Sequence, residues 1–214
     1  MRPGLAIFPR VPDRGIYDKE TIYQIIDEAL ICHVGLVQDS QPVVIPTLQA
    51  RYGDNLLLHG ATTSRLIQYA QSGREICVAI TLVDGLVLAR SVFHHSVNYR
   101  SVVLFGRGSL APETEKLAYM RHFTNRLLPG RWDDARQPNE QELKATTVVS
   151  IPIELASAKV RVGPPKDDAE DYALPVWAGV LPIRQQFLPP EKDPKLPEDT
   201  PLPEYIRAHI KERR

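Results

Sequence analysis

Behind Asp18-Lys19-Glu20-Thr21, apolar residues recur at Ile22, Ile25, Ile26, Ala29 and Leu30. That spacing follows the helical period, and an acid in the first turn suits the positive end of the helix dipole, so it predicts a helix over 19–30. The texture then shortens to strand-length runs. His33-Val34-Gly35-Leu36-Val37, Val43-Val44-Ile45-Pro46-Thr47-Leu48 and Leu56-Leu57-Leu58 are separated by Asp39-Ser40 and Tyr52-Gly53-Asp54-Asn55, which predicts a three-stranded meander. Thr62-Thr63-Ser64 caps a short helix carrying Leu66, Ile67 and Ala70 on one face and stopping near Gly73. The apolar runs from Ile76 to Val83 and from Leu86 to Ser91 flank Asp84-Gly85, a pair that predicts a hairpin turn.

Farther on, Ser101 to Leu110 reads as one long strand, with Gly106 and Gly108 where the backbone bends or approaches a neighbour. Pro112 opens an amphipathic helix bearing Leu117, Met120, Phe123 and Leu127 and ended by Pro129-Gly130; a short helix follows over 139–144, then strands over 147–153 and 158–162. Closely spaced strands with helices inserted rather than alternating predict a mainly β fold with helices (α+β), a β-barrel with flanking helices, over a doubly wound parallel sheet. The last stretch differs. Pro182, Pro189, Pro190, Pro194, Pro197, Pro201 and Pro203 each remove a backbone donor, so the tail is expected to be an extended arm outside the core, ending in a short helix over 203–210.

Composition narrows the function classes. The 214 residues carry 26 Lys+Arg and 26 Asp+Glu, so no global positive field exists to hold a nucleic-acid backbone, and no local basic patch replaces it. The longest apolar runs are far shorter than the roughly 20 residues that cross a bilayer. Met1-Arg2-Pro3-Gly4 has no apolar signal core, which places the expected location in the cytoplasm. Cys32 and Cys77 lie in apolar stretches without metal-spaced partners and read as small buried hydrophobes.

Several segments carry candidate chemistry. Gly106-Arg107-Gly108-Ser109-Leu110-Ala111 imitates a dinucleotide fingerprint, but Pro112, Glu113 and Glu115 start the helix after it with charge that repels phosphate. In Leu58-His59-Gly60-Ala61-Thr62-Thr63-Ser64-Arg65, a strand runs into a Gly turn, hydroxyls at a helix start and a guanidinium, pieces that suit a phosphate monoester. A capped helix with a solvated Arg65 fits that pattern equally well. Phe93 to Val102 is unusually polar for a link between two apolar strands; Asn98, Arg100 and Ser101 suit carbonyl, phosphate or ring-nitrogen contacts, and His94, His95 and Tyr99 fit a hydrogen-bonded loop better than acid–base catalysis. Adjacent histidines on a strand point to opposite faces, and no carboxylate spacing completes a metal set, so no metal site is expected. No nucleophile elbow or electropositive cysteine is present, and no catalytic residue is assigned. Trp177 reads as a hydrophobic plug or a cover for a flat ring.

Taken in order, these segments resemble the FMN-binding split-barrel superfamily, in the branch of pyridoxamine 5′-phosphate oxidase-related proteins that includes nitroimidazole-reductase-like proteins. The resemblance rests on Arg10-Val11-Pro12-Asp13-Arg14-Gly15, Cys32-His33-Val34-Gly35, Pro46-Thr47, Leu58-His59-Gly60, Ser64-Arg65, Asp84 to Ser91, Asn98-Tyr99-Arg100-Ser101-Val102, Lys144-Ala145-Thr146, Ala158-Lys159-Val160-Arg161 and Trp177-Ala178-Gly179. It covers residues 1–183, which makes 184–214 a separate Pro-rich arm. It implies a Greek-key-like split barrel working as a homodimer, with FMN at the subunit interface. Pro46 and Thr47 are then expected along the isoalloxazine, His59, Gly60, Ser64 and Arg65 at the ribityl phosphate, and Asn98, Tyr99, Arg100 and Ser101 flanking the ring. The substrate-binding Arg-x-His segment of true pyridoxamine phosphate oxidases is not apparent. The implied activity is reduction of a small nitroaromatic or similar acceptor using NAD(P)H. The alternative is a non-enzymatic flavin or haem carrier, with His33, His59, His94 and His95 as candidate iron ligands.

Overall fold

The computed structural model describes residues 15–212; the Arg10 to Arg14 part of the resemblance and the first four residues lie outside it. In chain order the elements are β1 (Gly15–Ile16), α1 (Lys19–Glu28), β2 (Ile31–Gln38), β3 (Gln41–Leu48), β4 (Ala50–Tyr52), β5 (Asn55–Ala61), α2 (Arg65–Gln71), β6 (Glu75–Leu88), β7 (Ser96–Arg107), β8 (Ser109–Leu110), α3 (Lys116–Leu127), α4 (Arg131–Asp134), α5 (Glu140–Ala145), β9 (Thr146–Pro152), β10 (Leu155–Arg161), β11 (Gly179–Pro182) and α6 (Glu204–Glu212). All strand pairs are antiparallel. One sheet has the order β1-β10-β7-β6-β2-β3, with β11 added to β6; the other has the order β4-β5-β9-β8.

Local chemistry explains several elements. Asp18 accepts the Thr21 N–H at 2.8 Å and starts α1, which buries Ile22, Ile25 and Ile26. Asn139 and Glu142 form a reciprocal capping box at α5. β5 is apolar without alternation because both its faces are covered: Leu56 and Leu58 enter the main core between the sheets, and Leu57 packs under α3 with Tyr119, Phe123 and Val148.

The structure corrects four expectations. First, the meander does not form: β2 and β3 make a hairpin, but β5 pairs with β4 and β9 in the other sheet. Second, Asp84-Gly85 is not a hairpin turn. β6 runs straight through it, with a register shift against β7 between Val83 and Gly85. Val78, Ile80 and Leu82 turn inward before the shift, and Val87 and Ala89 after it, so one extra residue moves the buried phase from even to odd positions. A Cβ on Gly85 would lie 2.9 Å from the Leu181 carbonyl oxygen, so the glycine admits β11 rather than reversing the chain. Third, the presumed loop over 93–102 is strand from Ser96 onward, and the strand expected over 101–110 breaks at Gly108, where the chain leaves one sheet for the other.

Fourth, the Pro-rich stretch is not wholly outside the sheets, because Pro182 ends β11 opposite Gly85. Beyond it the arm returns to its own chain. The Tyr205 hydroxyl donates to Asp134 at 2.7 Å, and the His209 ring lies 5.1 Å from that of Phe187. Among the described residues, no helix is long and apolar enough to cross a membrane.

Candidate functional site

The first group of expected site residues forms a corner where β5 runs into α2. Gly60 sits at the strand end with Ile67 and Ser64 over its Cα, and Ser64 occupies the N-cap position of α2. The Ser64 hydroxyl makes no cap bond, and the exposed Arg65 guanidinium has no polar partner among the described residues. A hydroxyl, a guanidinium and first-turn N–H groups therefore stand at successive positions of one helix start, residue types that suit a phosphate group. His59 turns the other way. Its ring packs 4.3 Å from Phe123 under α3, consistent with strand alternation that sends neighbours to opposite faces.

Burial lowers the His59 pKa below its ordinary 6.5, so the imidazole is neutral; its Nδ1 has no hydrogen-bond partner among the described residues. The unfolded chain takes up a proton more readily than the folded one. His59 therefore contributes stability that is full above pH 6.5 and is lost as pH falls from there through its lower folded value. Urea midpoints measured across this range should fall for the protein and fall less for His59→Phe; identical slopes would remove this account.

The second group divides. On β7, Asn98 and Arg100 face one side and Tyr99 and Ser101 the other, so the four cannot flank one ring face from one subunit. Asn98 is buried, donates to the Gly163 carbonyl at 3.1 Å and accepts from Arg161 at 2.5 Å. Arg100 is engaged by two carboxylates: Asp84, from the bulge, accepts at 2.7 and 2.9 Å, and Glu28, from the end of α1, accepts at 2.8 Å. These bonds with Glu28 and then Asp84 raise its pKa further above the usual arginine range, so the charge is permanent. The trio lines a groove of about 760 Å³ with Thr81, Val83 and Arg184.

Pro46 and Thr47 lie on the edge strand β3, opposite His33 and Cys32. Pro46 and His33 share the outer face of the large sheet with Ala79, Thr81, Val83, Tyr99, Ser101 and Val103, as register pairing requires. Val44 and Val83 on this face, and Ile31 at its end, are exposed apolar side chains.

The remaining histidines are distinct. His33 is exposed on the outer sheet face. His94 Nε2 lies 3.3 Å from Asp168. His95 Nδ1 lies 3.0 Å from the Ser91 carbonyl. A carbonyl only accepts, so the proton is on Nδ1 and the Nε2 lone pair of His95 is left open, the arrangement that orients metal-ligating imidazoles. Beside it Val92 and Phe93 are 86% and 85% exposed, the largest apolar exposure on the described surface. Trp177 is also exposed and lies against Gly179, whose added Cβ would meet the indole at 2.9 Å. The sequence pattern alone does not distinguish His95 from His94, because the deciding carbonyl belongs to Ser91, which the apolar run over 86–91 predicts as strand and the structure places at a turn.

The comparisons with known proteins agree with this architecture. Residues 18–160 match a family model described as pyridoxamine 5′-phosphate oxidase. The flavocytochrome Anf3 from Azotobacter vinelandii is similar at 43% identity, covering 95% of each chain with a TM-score of 0.89. An FAD and heme binding protein from Mycobacterium smegmatis is similar at 34% identity over 92% of this chain and 97% of that one, also with a TM-score of 0.89. A nitroimidazole antibiotic resistance protein from Bacteroides thetaiotaomicron, 22% identical over 68% of this chain and 86% of that one with a TM-score of 0.57, shares the fold. No curated protein sequence matches.

Proposed function

Because the chain belongs to the pyridoxamine 5′-phosphate oxidase family of split barrels, we propose that it is a flavin-binding redox protein that also takes a haem. The similarity to a flavocytochrome over 95% of both chains supports this reading, and the open Nε2 of His95 carries it in the geometry. The 34% identical relative is described as binding FAD and heme, which moves the expected flavin from FMN towards FAD. A bound flavin supplies hydride and one-electron chemistry, and a bound haem one-electron transfer.

The chain's own residues do the holding. Ser64, Arg65 and the first-turn N–H groups of α2 grip a flavin phosphate, and the missing Cβ of Gly60 lets Ile67 of α2 pack against the strand end and set the corner. Phe93 and Val92 supply apolar cover, and His95 is the iron ligand whose orientation Ser91 holds. The outer sheet face, with Val44, Val83, Pro46, Tyr99 and Ser101, pairs two copies in a homodimer, so that ring contacts missing from one subunit's face come from the other. Residues 1–183 make the barrel unit and 184–214 its arm.

Purified protein should show a flavin absorbance and a Soret band, both changed by dithionite; a colourless protein that takes up neither added flavin nor haemin ends the proposal. His95→Ala should lose the Soret band and keep the flavin. Arg65→Ala removes hydrogen bonds to a charged group, worth about 1.5–3 kcal/mol. Flavin affinity should therefore fall about ten- to a hundredfold. Equal affinity by fluorescence titration would displace the phosphate site from this corner.

NAD(P)H-dependent reduction of a nitroaromatic is the second reading. It is favoured only by the shared fold of the nitroimidazole resistance protein, and turnover of such a compound by the flavin-loaded protein is its test.

A further inference from the structure

The segment after β10 folds back over the turn at residues 92–94 and brings two carboxylates to His94. Asp167 fixes the join. Its buried carboxylate accepts the backbone N–H groups of Arg90 at 2.9 Å and Ser91 at 3.2 Å, and the Arg90 guanidinium at 3.2 Å. Burial raises the Asp167 pKa, but the N–H groups of Ser91 and Arg90 and the Arg90 charge outweigh it, and the net shift is downward. The following turn, Ala169–Ala173, is 3₁₀, and Asp171 donates its N–H to the Asp168 carbonyl at 3.0 Å. Residues three apart on such a turn eclipse, so Asp168 and Asp171 present their carboxylates on one side.

The consequence is a cluster in which one ligating atom from each of His94, Asp168 and Asp171 lies within 4.8 Å of the others. His94 Nε2 and the Asp168 carboxylate are 3.3 Å apart, the separation of two ligands that each stand about 2.1 Å from a common tetrahedral or octahedral cation. The charge is in place for one. The Arg90 guanidinium is taken by Asp167 and lies 4.9 Å over the Tyr172 ring, while Asp171 has no ion pair among the described residues. Two carboxylates therefore share one imidazole.

We propose that His94, Asp168 and Asp171 form a divalent-cation site that clips the 167–173 segment onto the 92–95 turn. One imidazole with two carboxylates suits a first-row cation such as Zn²⁺ or Mn²⁺, since Ca²⁺ and Mg²⁺ prefer oxygen alone. The expectation of no metal site rested on sequence spacing around His94; the carboxylates arrive from more than 70 residues away.

The test uses the protein as purified, with whatever cofactor it carries, dialysed against a chelator and titrated with Zn²⁺ by calorimetry. One cation per chain is expected, with a rise in Tm. The Asp168→Asn/Asp171→Asn double variant should bind at least tenfold more weakly while keeping the absorbance spectrum and the metal-free Tm. Affinity equal to that of the parent protein in a folded double variant, or no saturable binding by the parent, overturns the site. Because the readout is Zn²⁺ binding, its failure leaves the flavin and haem reading standing.

Discussion

Gly108→Ala is expected to lower the stability of the protein by about 3 kcal/mol, the upper part of the range for overpacking a filled interior. A Cβ at this position would lie 2.6 Å from the Ala70 carbonyl oxygen and 2.6 Å from Val149 Cγ1. Neither neighbour can yield cheaply. The carbonyl belongs to the backbone at the end of α2, and Val149 is fully buried in β9. The chain crosses here from the large sheet at Arg107 to the small one at Ser109, so moving the backbone away would break the pairing of β8 with β9. Urea unfolding should show a lower midpoint with an unchanged slope. A loss below about 0.5 kcal/mol, the size of an ordinary surface change, would mean that the two sheets are not held this closely.

Arg126→Ala is expected to cost about 2–3 kcal/mol, and its combination with Gln49→Ala to depart from additivity. α1 ends without glycine and with no basic residue in its last turn. Its last carbonyls are instead served from a distance. Arg126 of α3 donates to Ile26 at 2.8 Å, Asp27 at 2.7 Å and Ala29 at 2.5 Å, while the buried Gln49 amide donates to Ile26 at 2.7 Å and Ala29 at 2.6 Å. A positive charge at a helix C-terminus adds to these bonds. Because both side chains serve Ile26 and Ala29, either single variant leaves those carbonyls one donor. The double variant leaves them with none of these donors, so its loss should exceed the sum of the singles. Strict additivity in a double-mutant cycle by chemical denaturation would show that the two do not act on the same helix end.

How much of this was legible from the residues depends on where each partner sits. The start of α1 was readable because Asp18 and Thr21 are three residues apart, and the short helix over 139–144 because its start is likewise local, with Asn139 and Glu142 three residues apart. The β2–β3 hairpin followed from one short turn. Asp84-Gly85 misled because glycine serves a tight turn and a bulge equally. What chose the bulge was β11, about a hundred residues later, lying against Gly85, with Arg100 holding Asp84 from the neighbouring strand.

The candidate site divides in the same way. Ser64 and Arg65 were readable as donors at a helix start, since strand, turn and helix follow one another directly. The orientation of His59 was not, because a strand's period says that neighbours part but not which face meets which helix; Phe123 decided that. His94 and His95 looked equivalent until one met Asp168 and the other Ser91.

Periodicity, caps and turns are written within a few residues, and from them came the helices, the strand-rich class and the β5–α2 corner with its Ser64 and Arg65 donors. Which strands pair, where the chain changes sheet, and which charged group reaches which histidine depend on contacts closed over long loops. A hydrophobic pattern marks the face a strand must bury without naming the partner that buries it, and that choice belonged to the tertiary structure.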